Sequence, residues 1–346
     1  MTKVWNIAVI GAGDMGRQHV KGWQLAGHQV VSVTDVDQGR AEALAQAFQV
    51  PGVYTDYQES IPQGNVDIVS ICLPLPLHRE VTVFAANQGK HIFCEKPLTR
   101  SLEDADAMEK AVTEAGVQFG LGLQRNLSQG VLAARALVQS GRLGRPVLFA
   151  CDSIAEIRPK RIMHDANGNM GPLMDLGCHY YMMWQTVFNS SPKTVYAQGR
   201  VLARERRELS HIEELAIDSA VVTVEYESGD IGTFTVSWGM PPQTKLRGHQ
   251  DRILGPRGGA EGGFNANPSK ITVYEEDGVE EVPLHVYPSL HQEQFQLFVQ
   301  SIEQQGAASA GFQAGRDVLT LTLAIFKSIE TGEAIDFERF SRELSA

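Results

Sequence analysis

The sequence is short of cysteine, of basic residues relative to acidic ones, and of long apolar runs. Its four cysteines, Cys72, Cys94, Cys151 and Cys178, form no C-x-x-C pair, which argues against a zinc or dithiol redox motif. They read as small buried hydrophobes in a reducing compartment. Lys and Arg total 30 against 41 Asp and Glu, a net charge of −11, whereas a nucleic-acid or anionic-membrane binder should carry a basic patch. No apolar stretch is long enough to span a bilayer. Met1-Thr2-Lys3-Val4-Trp5 runs straight into a strand pattern with no signal-peptide core, so the cytoplasm is the expected location. H-E-x-x-H is absent and no metal is expected; Tyr-x-x-x-Lys is absent, which removes the short-chain dehydrogenase pattern. There is no internal repeat and no low-complexity linker.

What is present supports two folded domains: 346 residues, 43% of them hydrophobic. The first third alternates strand and helix signals. Strands are expected at Val4–Ile10, Gln29–Asp35, Val66–Leu73, His91–Cys94 and Gln118–Leu123. Helices are expected from Gly13 to Gly27, over Gln38–Phe48 and Leu77–Gln88, and from the Ser101/Asp104 capping pattern to Gly116. Such alternation implies a parallel sheet covered on both faces. After a helix over Ser128–Ser140 the pattern becomes long strands: Val147–Ile157, Thr194–Val201, Ser219–Tyr226, Ile231–Trp238, Ile271–Glu275 and Glu280–Val286. Gly255–Gly263, with five glycines, reads as a mobile loop. Helices over Ser289–Gln304 and Ala314–Thr331 close the chain. The predicted class is α/β: a doubly wound parallel sheet of Rossmann type over residues 1–123, then an α/β domain over 124–346 with a large, mostly antiparallel open sheet. The last helix is a candidate to pack back on the first domain.

Gly11-Ala12-Gly13-Asp14-Met15-Gly16 is G-x-G-x-x-G between a strand and a helix, the context in which this motif cradles a dinucleotide. Gly11 permits the turn, Gly13 lets the backbone approach a pyrophosphate, and Gly16 lets helix and strand pack closely. Asp35, 19 residues after Gly16, suits a carboxylate that accepts from the adenosine ribose hydroxyls. It favours NAD, while Arg40 one helical turn on leaves NADP open. Cys94-Glu95-Lys96-Pro97 follows a parallel strand, where ligands collect. Lys96 reads either as a group that polarises or protonates an oxygen during hydride transfer or as a solvated lysine. Leu176, Tyr180, Met183 and Val187 form one buried helical stripe, with Asp175 and His179 at i and i+4 beside it. That pair reads as a carboxylate-oriented general acid/base or as a satisfied half-buried histidine.

Taken in order, G-x-G-x-x-G, Glu95-Lys96-Pro97 and Asp175-x-Gly177-x-His179 resemble the Gfo/Idh/MocA oxidoreductases over nearly the whole chain. The resemblance implies Lys96 and His179 as proton donor and acceptor at the reacting oxygen, with Asp175 binding substrate or orienting His179. Leu73-Pro74-x-x-x-His78 resembles the family's T-P-x-x-x-H cofactor loop, and Gln124-Arg125 its N-x-R-like segment. The implied cofactor contacts are therefore Gly11 to Gly16, Asp35, Leu73, Pro74, His78, Glu95, Lys96 and Gln124. The implied substrate contacts are Lys96, Arg125, His164, Asp175 and His179. His164 and Asp165 read as pocket lining or as a surface loop, Arg158 and Arg161 as a grip on a carboxylate or as solvated side chains, and His285 and His291 have no metal-ligand context. Three departures stand out: Leu73 for Ser/Thr, Asn169-Met170-Gly171 for a run of glycines, and Met182 where many members carry Asp or Asn. The resemblance implies an NAD(P)-dependent oxidoreductase acting on a sugar, cyclitol or related polyol, as a homodimer or homotetramer joined through its open sheet. The alternatives are an enzyme that recycles bound NAD while cleaving a glycosidic bond, and an NAD-binding sensor without catalysis.

Overall fold

The computed structural model describes residues 3–244, 251–306 and 308–345. The chain divides into two compact units, one of residues 1–124 with 288–316 and one of residues 125–287 with 317–346.

In the first unit, β1 (Asn6–Ile10), α1 (Asp14–Leu25), β2 (Gln29–Thr34), α2 (Gln38–Phe48), β3 (Gly52–Tyr54), α3 (Tyr57–Ser60), β4 (Ile68–Ile71), α4 (His78–Asn87), β5 (His91–Glu95), α5 (Leu102–Ala115) and β6 (Phe119–Gly122) follow one another. All strand pairs are parallel, in the order β3-β2-β1-β4-β5-β6. This is the doubly wound order of dinucleotide-binding sheets, whose topological switch point lies between β1 and β4. The strands are near-continuous apolar runs because both faces are covered: Ile7, Ala8, Val9, Ile68, Val69 and Ile71 are inaccessible to solvent. The short β3 and α3 lie in Gly52–Ser60, whose mixed sequence shows no periodicity of either kind.

The second unit holds α6 (Gln129–Gln139), β7 (Leu148–Glu156), α7 (Gly171–Asp175), α8 (Gly177–Phe188), β8 (Pro192–Arg200), β9 (Ser219–Tyr226), β10 (Ile231–Met240), β11 (Asp251–Gly255), β12 (Gly258–Gly262), β13 (Lys270–Glu275) and β14 (Gly278–Pro283). Then α9 (Leu290–Glu303) belongs to the first unit. α10 (Phe312–Thr331) starts there and belongs to the second from Asp317, followed by β15 (Ile335–Asp336) and α11 (Phe337–Ser345). The sheet runs β14-β13-β12-β11-β7-β10-β9-β8-β15 and is antiparallel except for the β7–β10 pair. One face alternates inward: Phe149, Cys151 and Ser153 of β7, Val222 and Val224 of β9, Phe234 and Val236 of β10 are buried. Tyr180 stacks on Phe234 at 4.3 Å, and Gly232 leaves room for the Trp184 indole, which a Cβ there would meet at 2.5 Å.

The expected loop at Gly255–Gly263 is instead the β11–β12 hairpin and its partner edge. Its glycines serve close approach: a Cβ on Gly255 would stand 2.3 Å from the Leu143 carbonyl oxygen, and one on Gly258 2.3 Å from that of Tyr274. The expected single helix through Asp175 and His179 is broken. α7 ends at Asp175 and α8 starts at Gly177, where a Cβ would meet the Tyr181 hydroxyl at 2.6 Å. Three of the four cysteines are buried and Cys72 is half-buried. No helix among the described residues is long and apolar enough to cross a membrane.

α9 is tied to the first unit by aromatic packing. Phe295 stacks on Trp23 at 4.0 Å, meets Phe93 edge-on at 4.9 Å, and is fully buried with Phe298 alongside. Phe295→Ala is therefore expected to cost about 3–5 kcal/mol, read as a lowered urea midpoint in tryptophan fluorescence. A loss below ~1 kcal/mol would mean that the cluster re-closes over the cavity.

Candidate active site

In the first unit the site grows from the carboxyl ends of β1, β2, β4 and β5. Gly11 has φ +103°, and a Cβ there would lie 2.4 Å from the Cys72 carbonyl oxygen; one on Gly16 would overlap the Gly11 oxygen at 1.9 Å. A Cβ on Gly13 would meet nothing within 4 Å, and Gly13 is the N-cap of α1 with no side chain capping it. The arrangement is a tight turn, open on its outer side, aimed by a helix N-terminus, and it fits a pyrophosphate. Asp35 braces the turn: its Oδ2 accepts from the Ala12 N–H at 2.8 Å and its Oδ1 from the Asp37 N–H at 3.0 Å. Each oxygen keeps a lone pair for a ribose hydroxyl. Arg40 pairs with Asp37 at 3.3 Å on the surface. Val36, next to Asp35, is 94% exposed, an apolar surface at the β2 end that the sequence reading passed over.

His78 is buried rather than presented to a ligand. Its Nδ1 lies 2.8 Å from the Pro97 oxygen and its Nε2 3.0 Å from the Leu73 oxygen, so the ring packs between the Leu73-Pro74 loop and the Glu95-Lys96-Pro97 turn and, when neutral, donates to one of the two carbonyls. Burial holds its pKa down. Lys96 is half-buried at the end of β5. Glu95 before it is 3% exposed and makes two hydrogen bonds of known geometry. Oε1 accepts from His19 Nε2 at 2.8 Å, and Oε2 from the Lys96 N–H at 3.2 Å. His19 carries no mark in the sequence, and His291, expected to be without metal-ligand context, has two potential ligand residues beside it. The structure brings both to Glu95, with one donor atom of each within 4.8 Å. The 2.8 Å between His19 Nε2 and Glu95 Oε1 is the length of an ordinary hydrogen bond. Two ligands on one tetrahedral cation would stand about 3.3 Å apart.

In the second unit Asp175 and His179 flank the helix break, 5% and 4% exposed. Asp175 ends α7 and His179 lies in the first turn of α8. The departure at Asn169-Met170-Gly171 has a structural use: Asn169 Nδ2 donates to Asp175 Oδ1 at 3.1 Å. Met170 and Gly171 take φ of +60° and +75°, turning the chain into α7. His164 is buried, and its Nε2 accepts from the Arg158 N–H at 2.9 Å, which makes it a brace of its loop. The Arg158 guanidinium lies 5.6 Å over Trp238, and Arg161 donates to the Arg158 carbonyl. Arg125 sits half-buried in the turn Gln124–Leu127.

Three comparisons bear on this geometry. A family model described as "Oxidoreductase family, NAD-binding Rossmann fold" matches residues 5–123, and "GFO/IDH/MocA C-terminal domain" matches residues 131–261. The chain belongs to the GFO/IDH/MocA oxidoreductase family. It is 28% identical to an uncharacterised oxidoreductase of Bacillus subtilis over 97% of this chain and 100% of that one. It is 25% identical to the myo-inositol 2-dehydrogenase of Thermotoga maritima over 96% and 98%. Among solved structures, levoglucosan dehydrogenase in complex with NADH shares the fold with TM-score 0.84 at 20% identity, covering 97% of this chain and 99% of that one. The protein is thus an NAD-binding dehydrogenase or reductase of that family.

One buried acid was not legible in the sequence. Asp251, 2% exposed at the start of β11, has no hydrogen-bond partner on Oδ1 among the described residues, and burial pushes its carboxyl up to about 7. The folded chain thus keeps a proton that the unfolded chain loses near pH 4, and stability falls as pH rises from 4 to 7. Asp251→Asn is expected to match the parent at pH 4 and exceed it by about 2–4 kcal/mol at pH 8 in urea unfolding. Equal stability at pH 8 would show the carboxyl ionised without penalty.

Proposed function

We propose that this oxidoreductase transfers hydride between NAD(H) and a secondary hydroxyl, or the matching carbonyl, of a sugar, cyclitol or related polyol. The observation that carries the reading is that one chain holds a glycine cradle braced by Asp35, Lys96 at the end of β5, and the Asp175–His179 pair at a helix break. The relatives point to the same substrate class: besides the Thermotoga protein, a scyllo-inositol 2-dehydrogenase of Bacillus subtilis is 28% identical over 72% of this chain and 71% of that one.

The dinucleotide, when bound, accepts or gives the hydride. Gly11 to Gly16 would hold its pyrophosphate. Asp35 would accept from the ribose hydroxyls, and its charge, with Arg40 engaged by Asp37, favours NAD over NADP. Leu73, Pro74 and Gln124 would border the nicotinamide end, with His78 fixing the loop from behind. During oxidation the hydroxyl proton passes to Lys96 or His179 while the carbon gives up its hydrogen with the electron pair; reduction reverses both transfers. Asp175, held by Asn169, would bind a substrate hydroxyl or orient His179. Arg125 would meet the substrate as well. His164 acts through its loop.

We also infer a cytoplasmic homo-oligomer joined through the open face of the second unit's sheet. That face carries Leu148, Tyr196, Val221, Leu254 and Tyr274, each 39–54% exposed, and apolar patches of this kind mark interfaces. Light scattering of the purified protein is expected to give a dimer or larger; a monomer would end that idea.

The deciding experiment is nicotinamide absorbance with NAD, then NADP, against a panel of inositols, sugars and sugar acids. A reduced-nicotinamide band with at least one polyol, larger with NAD, is the expected result. Lys96→Ala is expected to bind NAD within about threefold of the parent while turnover falls by ~10²–10⁴. A flat panel with NAD bound would sink the dehydrogenase reading, and parent-like turnover in Lys96→Ala would remove Lys96 from the chemistry.

A further inference from the structure

Behind Lys96 lies a chain of buried polar groups that no binding role accounts for. Trp23 Nε1 donates to Ser70 Oγ at 2.9 Å, and Ser70 Oγ lies 2.8 Å from His19 Nδ1. Glu95 Oε1, an acceptor only, lies 2.8 Å from His19 Nε2, which therefore donates to it. Trp23, His19 and Ser70 are fully buried and Glu95 is 3% exposed. Phe93 and Phe295 enclose the His19 ring at 5.9 and 5.0 Å, and β6 passes so close that a Cβ on Gly122 would stand 2.8 Å from Glu95 Oε1. The imidazole is fixed in position.

We propose that His19 and Glu95 are a positioning pair for Lys96. His19 holds Glu95 as an anion, one oxygen of that anion grips the Lys96 peptide N–H, and its charge stabilises the Lys96 ammonium. The polar groups around the carboxylate agree. His291, its ring 5.5 Å from that of His19, is pushed down to about 4 by burial and by His19. His78 is held down by burial and the Cys94 thiol is raised by it, so both are neutral near pH 7. Against its burial, the hydrogen bond and charge of His19 and then the charge of Lys96 keep Glu95 ionised. The inference rests on the reading of Lys96 as the proton-handling group.

The test follows the Lys96 ammonium directly. The lysines are reductively methylated with ¹³C-formaldehyde, the Lys96 resonance is assigned by its absence in Lys96→Arg, and its titration is followed by NMR. Glu95→Gln, nearly isosteric, is expected to lower the Lys96 midpoint by about one pH unit, a tenfold loss of proton affinity. His19→Gln keeps an N–H donor and should hold the parent midpoint, whereas His19→Leu should lower it. The histidine variants carry the test if Glu95→Gln does not fold. A Lys96 midpoint unmoved in folded Glu95→Gln or His19→Leu, with only the melting temperature lowered, overturns the proposal. Turnover read on the unmethylated parent separates the two claims: a shifted midpoint in the variants, beside a parent inactive on every polyol, supports the pair and counts against the dehydrogenase reading.

Discussion

A carboxylate taken out of water has to be held by hydrogen bonds and a neighbouring charge, or it gives up its charge. Glu95 sits in that condition at the end of a central parallel strand, and much of the first unit is arranged around it. α1 supplies His19 and Trp23, β4 supplies Ser70, β6 supplies a glycine thin enough to pass, and α9 returns from far along the chain with Phe295 and His291 to seal the ring. The helix that begins at the phosphate cradle is thus the helix that anchors the strand end bearing Lys96. One element serves both ends of the cofactor crevice expected of this strand order.

The same coupling explains which residues stood out in the sequence. Backbone motifs did, because their chemistry is local: Gly11 is required by its φ and Gly16 by the Gly11 oxygen five residues back, Gly13 leaves the turn open, and the strand–turn–helix context is contiguous. Asp35 stood out by its spacing, yet its hydrogen bond to the Ala12 N–H, which makes it part of the turn, did not. His19 and His291 are separated by 272 positions in sequence and lie beside apolar neighbours, so nothing local marks them as members of one cluster. Val36 escaped for a related reason. A valine between two aspartates looks like strand residue or turn filler until its 94% exposure is seen.

In the second unit the misreadings are of glycine and of helix continuity. Five glycines in nine residues suggest freedom, whereas in β11 and β12 they are what lets two strands and the Leu143 backbone approach within distances a Cβ would forbid. The i, i+4 spacing of Asp175 and His179 suggested one helix. Gly177, crowded by Tyr181, instead marks the start of a new one. The break matters for chemistry, since it puts His179 in a first turn rather than mid-helix, with Asp175 on the preceding segment where Asn169 can reach it.

That last contact changes how the departures from the family pattern are to be weighed. A glycine run before Asp175 supplies backbone freedom alone. Here Met170 takes up a left-handed turn itself, at a steric cost that a glycine would not bear, and Asn169 contributes an amide to the carboxylate. The Asn169 amide on Asp175 Oδ1 limits how the carboxylate can turn. In the proposed reaction substrate selectivity would fall to the wall that Asn169 fixes and to the loop that His164 braces. In the proposed reaction Lys96 and His179 would supply the proton chemistry, and any secondary alcohol would need the same from them.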